Sequence, residues 1–137
     1  VPQIRYKSGY KYQLADDYIH ELSFSINSII INTFISIKPP SILSIKSGYA
    51  WDGPSGPTVD TPAFMRGSLI HDALYQLIRE GLLDPSYRKL ADEELLRVCK
   101  ADGMNWFRRG YTYSAVRWFA GNSAKVGSEI EKIHTAP

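Results

Sequence analysis

Seven residues, Trp51-Asp52-Gly53-Pro54-Ser55-Gly56-Pro57, divide the chain into halves that follow different rules. Two prolines and two glycines in so short a run exclude a regular helix or strand, because proline removes a backbone donor and glycine loses the most entropy on ordering. Before this loop, residues 10–14, 18–26, 29–37 and 42–49 are rich in Ile, Tyr, Phe and Ser with partial period-two alternation, which predicts strands. Asp16-Asp17, Asn27-Ser28 and Pro39-Pro40 separate them. None of these breaks is long enough for a crossover helix, so the strands are expected to form an antiparallel β-meander.

Beyond the loop the hydrophobic period becomes helical. Thr61-Pro62 supplies an N-cap and a proline at the first helical position, and Gly81 stops the helix just after Glu80. Phe64, Ile70, Leu74, Leu77 and Ile78 form its apolar face. A second helix is expected from Asp84-Pro85-Ser86 to Asp102-Gly103, with Leu90, Ala91, Leu95, Val98 and Cys99 inward. A third covers residues 105–119 and carries Trp106, Phe107, Tyr111, Tyr113, Trp118 and Phe119, with Gly121 closing it. Core packing against the sheet explains these aromatics with the fewest assumptions. The alternative is an interfacial helix whose Arg108, Arg109 and Arg117 reach lipid headgroups. The expected fold class is therefore α+β: an N-terminal antiparallel β-meander followed by three α-helices, in a single domain over residues 1–121, with 122–137 as a polar C-terminal tail.

Composition narrows the function classes. A chain of 137 residues can bury a core without metal or disulfide staples, and Cys99, the single cysteine, permits no intrachain disulfide. A net charge of +2 with interspersed signs lacks the clustered basic footprint of a nucleic-acid binder. The longest apolar stretch, 26–37, is broken by Asn27, Ser28, Asn32, Thr33 and Ser36, so no transmembrane segment is expected. Val1-Pro2-Gln3-Ile4-Arg5-Tyr6 has neither the charged nor the apolar region of a signal peptide.

His71 and Asp72 are consecutive on the first helix and point about 100° apart. His71 falls on the inward stripe with Gly67, Leu74, Tyr75 and Ile78, and Asp72 lies at its edge; on the second helix Asp92 lines up with Leu95, Leu96 and Cys99. Such polar groups are costly to bury without partners. Adjacent antiparallel helices would let Asp92 accept a hydrogen bond from one imidazole nitrogen of His71, fixing the tautomer and leaving the other nitrogen as a base. Asp72 would then face the Asp52-Gly53 loop, where carbonyls and two carboxylates can hold a hard cation such as calcium. The competing reading is a structural hydrogen-bonded network. Asp60 is either a further acidic residue of the loop or a cap of the first helix. A metal-dependent phosphohydrolase needs more histidines than His20 and His134 supply, zinc lacks its usual ligand spacing, and Cys99 reads as core rather than nucleophile.

The order of a glycine-bearing loop, a helix with His71-Asp72 and Tyr75, and a helix with an inward Asp92 resembles the phospholipase A2 family, most of all its disulfide-poor bacterial and viral-capsid branches. The resemblance implies calcium held by Asp72 with Asp52 and Gly53, water activated by His71 to attack a lipid ester, His71 oriented by Asp92, and support from Tyr75 and Ser55. Over nearly the whole chain, Tyr12–Leu14, Gly48-Tyr49-x-x-Asp52-Gly53-x-Ser55, His71-Asp72-x-Leu74-Tyr75, Arg88-Lys89-x-Ala91-Asp92 and Ala115-Val116-Arg117 are similar to a family of small uncharacterised phage and prophage proteins. That likeness implies a viral origin, with the host cytoplasm or the virion as location. The expected partners are a phospholipid or other ester substrate, or a phage or host protein if the network is structural.

Overall fold

A computed structural model of the protein describes Ile4, Tyr6–Lys7 and residues 12–51 and 62–119. The architecture is α+β, with antiparallel strands in two sheets followed by three helices. The chain divides into two compact units, one within Val1–Asp52 and the other within Gly53–Ile133.

Among its described residues the first unit holds seven strands: β1 Tyr6–Lys7, β2 Tyr12–Leu14, β3 Tyr18–Glu21, β4 Ile30–Ile31, β5 Ile35–Lys38, β6 Ile42–Ile45 and β7 Ala50–Trp51. A four-stranded sheet runs in the order β3-β6-β5-β4. Its buried face follows from period-two alternation: the register sets Ile35 opposite Ile45 and Ile37 opposite Leu43, with Tyr18 and His20 opposite Ile45 and Leu43. All six are buried, whereas Ile19, Glu21 and Lys38 point the other way and are exposed. β4, β5 and β6 form the expected meander, but β3 pairs with β6 rather than with its chain neighbour β4.

The single strand expected over 29–37 is two strands, because Asn32 Oδ1 accepts from the amides of Phe34 and Ile35 at 3.0 and 2.7 Å and turns the chain. The three-stranded sheet runs β1-β2-β7. Trp51, expected to open the irregular loop, instead closes this sheet opposite Tyr12 and is buried. Gly48 enables the change of sheet: its φ of +93° lies in the region open to glycine, and its amide donates to the Leu14 carbonyl at 2.7 Å.

The second unit is helical: α1 Pro62–Arg79, α2 Arg88–Ala101 and α3 Trp106–Phe119. A 3-10 turn at Pro85–Tyr87 precedes α2, started by Asp84 Oδ1 accepting from Ser86 N at 2.8 Å, so the α-helix itself begins later than Asp84-Pro85-Ser86 suggested. Asn105 Oδ1 accepts from Arg108 N at 2.8 Å and caps α3. The expected apolar face of α1 is buried, as are Ala91, Leu95, Val98 and Cys99 of α2. Leu90 is 37 % exposed and does not belong to that face, since it sits one position before the stripe defined by Ala91, Leu95 and Val98. Trp106 is 75 % exposed, which corrects its assignment to the core: it stands at the open first turn of α3. The side chains of Phe107, Tyr111, Trp118 and Phe119 lie outside the described set. Among the described residues no helix is long and apolar enough to cross a membrane.

Gly67 sets the spacing between α1 and α2. A Cβ there would stand 2.9 Å from both Cys99 Sγ and Leu95 Cδ1 and 3.3 Å from the Leu95 carbonyl oxygen. The residue most costly to helix propensity after proline is thus the one that lets two helix backbones approach.

Candidate functional site

The site lies in the helical unit. His71 and Tyr75 are one turn apart on α1 and leave it on the same face, with ring centroids 4.1 Å apart. Opposite them, in the first turns of α2, Asp92 is fully buried. Its Oδ1 accepts from His71 Nε2 at 2.6 Å and from the Tyr75 hydroxyl at 2.6 Å, while Oδ2 accepts from Arg117 Nη1 at 2.8 Å. Arg88, one turn before Asp92, donates from Nε to the Tyr75 hydroxyl oxygen at 3.3 Å and from Nη2 to the Arg117 carbonyl at 2.7 Å. Residues from all three helices therefore close on one carboxylate.

A carboxylate only accepts, so the proton in the His71–Asp92 contact resides on Nε2 and the neutral ring carries its lone pair on Nδ1. Among the described residues Nδ1 makes no hydrogen bond. Asp72 Oδ1 stands 3.8 Å from it, too far for one but well within electrostatic reach. The Asp72 side chain is 27 % exposed and that of His71 only 6 %.

Two opposed effects act on each ionisable group. Burial pulls the His71 pKa down, but the Asp72 and Asp92 carboxylates outweigh it and hold the imidazole above its ordinary 6.5. Burial would likewise raise Asp92, yet the His71, Tyr75 and Arg117 donors keep it below 3.8 and ionised. For Tyr75, burial and then the Asp92 carboxylate raise the phenol, so it stays protonated and donates.

The structure thus brings His71, Tyr75 and Asp92 together and places Asp72 on the other side of the imidazole. Asp52, Gly53 and Ser55 lie outside the described residues, as do Asp60 and His134. His20 is a buried core residue of β3 beside Tyr18. Cys99 is buried against α1, its thiol pushed up to about 12 by burial and then by Asp102, and is chemically quiet. Among the described residues no group of three or more His, Cys, Asp or Glu could hold a metal ion.

Arg117 and Arg88 were not expected in the site. For Arg88 a signal was available, since it sits one turn from Asp92 on the same helix face; for Arg117 the sequence says only that a buried carboxylate needs a countercharge, not which residue supplies it. Two further ion pairs also escaped the sequence. Arg66, itself buried, makes a bidentate pair with Asp102 (Nε–Oδ2 3.0 Å, Nη2–Oδ1 2.9 Å), and Arg97 pairs with the fully buried Glu94 at 2.6 Å.

No protein-family model, curated protein or solved structure matches the chain.

Proposed function

We propose that the protein is an ester hydrolase, phage-type in origin and resembling the phospholipase A2 family, with His71 as the base that activates water. The observation that carries this reading is the imidazole held through Nε2 on Asp92 at 2.6 Å, with Nδ1 left without a hydrogen bond among the described residues. Such an arrangement fixes the tautomer and presents one basic nitrogen. Water attacks the ester carbonyl carbon while its proton passes to Nδ1. Collapse of the tetrahedral intermediate then breaks the bond to the alcohol oxygen, which takes the proton from His71, giving acid and alcohol. Asp92 positions the ring and stabilises the imidazolium, and Tyr75 and Arg117 hold Asp92.

Calcium enters the proposal through the resemblance. Among the described residues Asp72 is its candidate ligand, and one carboxylate does not meet the roughly six to eight oxygens that calcium takes. The proposed substrate is a phospholipid or another ester, and the proposed location is the host cytoplasm or the virion.

The 6 % side-chain exposure of His71 favours a second reading: a non-catalytic virion, tail or host-interaction protein in which the same residues brace three helices. Release of fatty acid from phospholipid vesicles separates the two. Under the first reading the wild type releases acid, His71→Ala does not, and added chelator suppresses turnover. A folded wild type that releases none, with or without calcium, leaves the bracing role.

A further inference from the structure

Among the described residues Arg66, Arg97 and Arg117 each face a carboxylate in the helical unit, whereas Arg88 does not. Its described partners are neutral, the Tyr75 hydroxyl at 3.3 Å and the Arg117 carbonyl at 2.7 Å, and Nη1 makes no hydrogen bond among the described residues. Arg117 gives Nη1 to Asp92 and keeps Nε and Nη2 without described partners, on a side chain that is 35 % exposed. The two guanidinium groups therefore stand at the ends of one hydrogen-bonded chain, Arg117 on the Asp92 carboxylate and Arg88 on the Tyr75 hydroxyl that donates to it, both half-buried and with N–H groups left over among the described residues. One of them is fixed to the tyrosine that shares Asp92 with His71. Planar N–H forks pre-set in this way suit the oxygens of a tetrahedral anion, and partial desolvation strengthens such contacts.

We propose that Arg88, with Arg117 beside it, binds a phosphate group next to the His71–Asp92 pair. As a statement about substrate it rests on the hydrolase reading and makes the substrate a phosphate-bearing ester; as a binding site it stands without that reading. Arg88 holds the anion through Nη1 and the second N–H of Nη2. Arg117 contributes Nη2 while its Nη1 stays on Asp92. The anion is thereby anchored one tyrosine away from the imidazole, with the opposite face of the ring left to Asp72.

Calorimetric titration of the whole chain with inorganic phosphate, and separately with a short-chain phosphatidylglycerol below its micelle-forming concentration, tests this. Both are expected to bind the wild type. Arg88→Gln should weaken each by about tenfold or more, the loss of a charge-assisted hydrogen-bonding fork. Lys89→Gln, one exposed residue away, should leave both unchanged. Binding of the lipid alone assigns the site to a headgroup, and binding of phosphate alone assigns it to the free anion; either supports the site. Arg88→Lys keeps the charge but not the fork, and serves if the glutamine variant fails to fold: a loss of about threefold or more is expected. The proposal is overturned if neither ligand binds, if a folded Arg88 variant binds as tightly as wild type, or if Lys89→Gln weakens binding equally. Turnover of a neutral short-chain triester and of the short-chain phosphatidylglycerol, each compared between wild type and His71→Ala, is read in parallel. Intact turnover without phosphate binding sinks the site alone, and phosphate binding without turnover of either ester sinks the hydrolase reading alone.

Discussion

Asp92 concentrates the chemistry of the helical unit because one buried carboxylate serves three donors from two helices. Two outcomes follow at the level of single side chains. Asp92→Asn removes a negative charge from Nε2, so the His71 pKa, now held above 6.5 against burial by Asp72 and Asp92, should fall. Nuclear magnetic resonance titration of the imidazole protons checks this, and a pKa that stays put or rises would sink the electrostatic account. If His71 is the base, turnover rises with pH through the same value, because only the neutral ring can take a proton, and the rise moves to lower pH in Asp92→Asn. Tyr75→Phe deletes a donor to a buried carboxylate while keeping the ring against His71. It should cost about 1.5–3 kcal/mol in urea unfolding with the fold retained.

Among elements, the α1–α2 contact decides whether the carboxylate reaches the imidazole. Gly67 lies one turn before His71, and a methyl group there meets Leu95 and Cys99 at 2.9 Å and the Leu95 carbonyl at 3.3 Å. Gly67→Ala should therefore destabilise by about 1–3 kcal/mol, overpacking outweighing the roughly 1 kcal/mol of helix propensity gained. Gly110 on α3 is the contrasting case, since among the described residues a Cβ there meets nothing within 4 Å. Gly110→Ala should stabilise by up to about 1 kcal/mol. Chemical denaturation of the two variants reads both signs, and a stabilised Gly67→Ala would refute the close-approach argument.

For the whole molecule, pH acts on the helical unit through two groups of opposite sense. His71 has a folded pKa above its unfolded 6.5, so its contribution is fully present below 6.5 and is lost as pH rises through the folded value. Asp92 has a folded pKa below 3.8, so its contribution is present above 3.8 and is lost as pH falls through the folded value. From these two groups alone, stability is greatest between 3.8 and 6.5 and declines on both sides. Thermal melts followed by the helical circular dichroism signal, from about pH 3 to about pH 9, should show both limbs, and His71→Gln should flatten the alkaline one. A melting temperature that climbs steadily above pH 7 would contradict the assignment.

The sequence by itself determined the α+β class, both ends of α1 and the C-terminal end of α2, because Pro62, Gly81 and Gly103 act locally through φ restriction and positive φ. It also placed His71 and Asp92 on inward faces, because a 3.6-residue period is written into the spacing of their apolar neighbours. Strand partners were out of its reach. Whether β3 pairs with β4 or β6, and whether Trp51 ends a loop or closes a sheet, depends on hydrogen bonds between residues distant in the chain. The same holds for the arginines. Arg117 on α3 meets Asp92 only because three helices converge, and nothing in its local sequence separates it from a solvated surface charge. Local conformation is set by steric rules that each residue carries with it. The countercharge of a buried carboxylate is set by which helix end arrives beside it, and that is decided by tertiary packing.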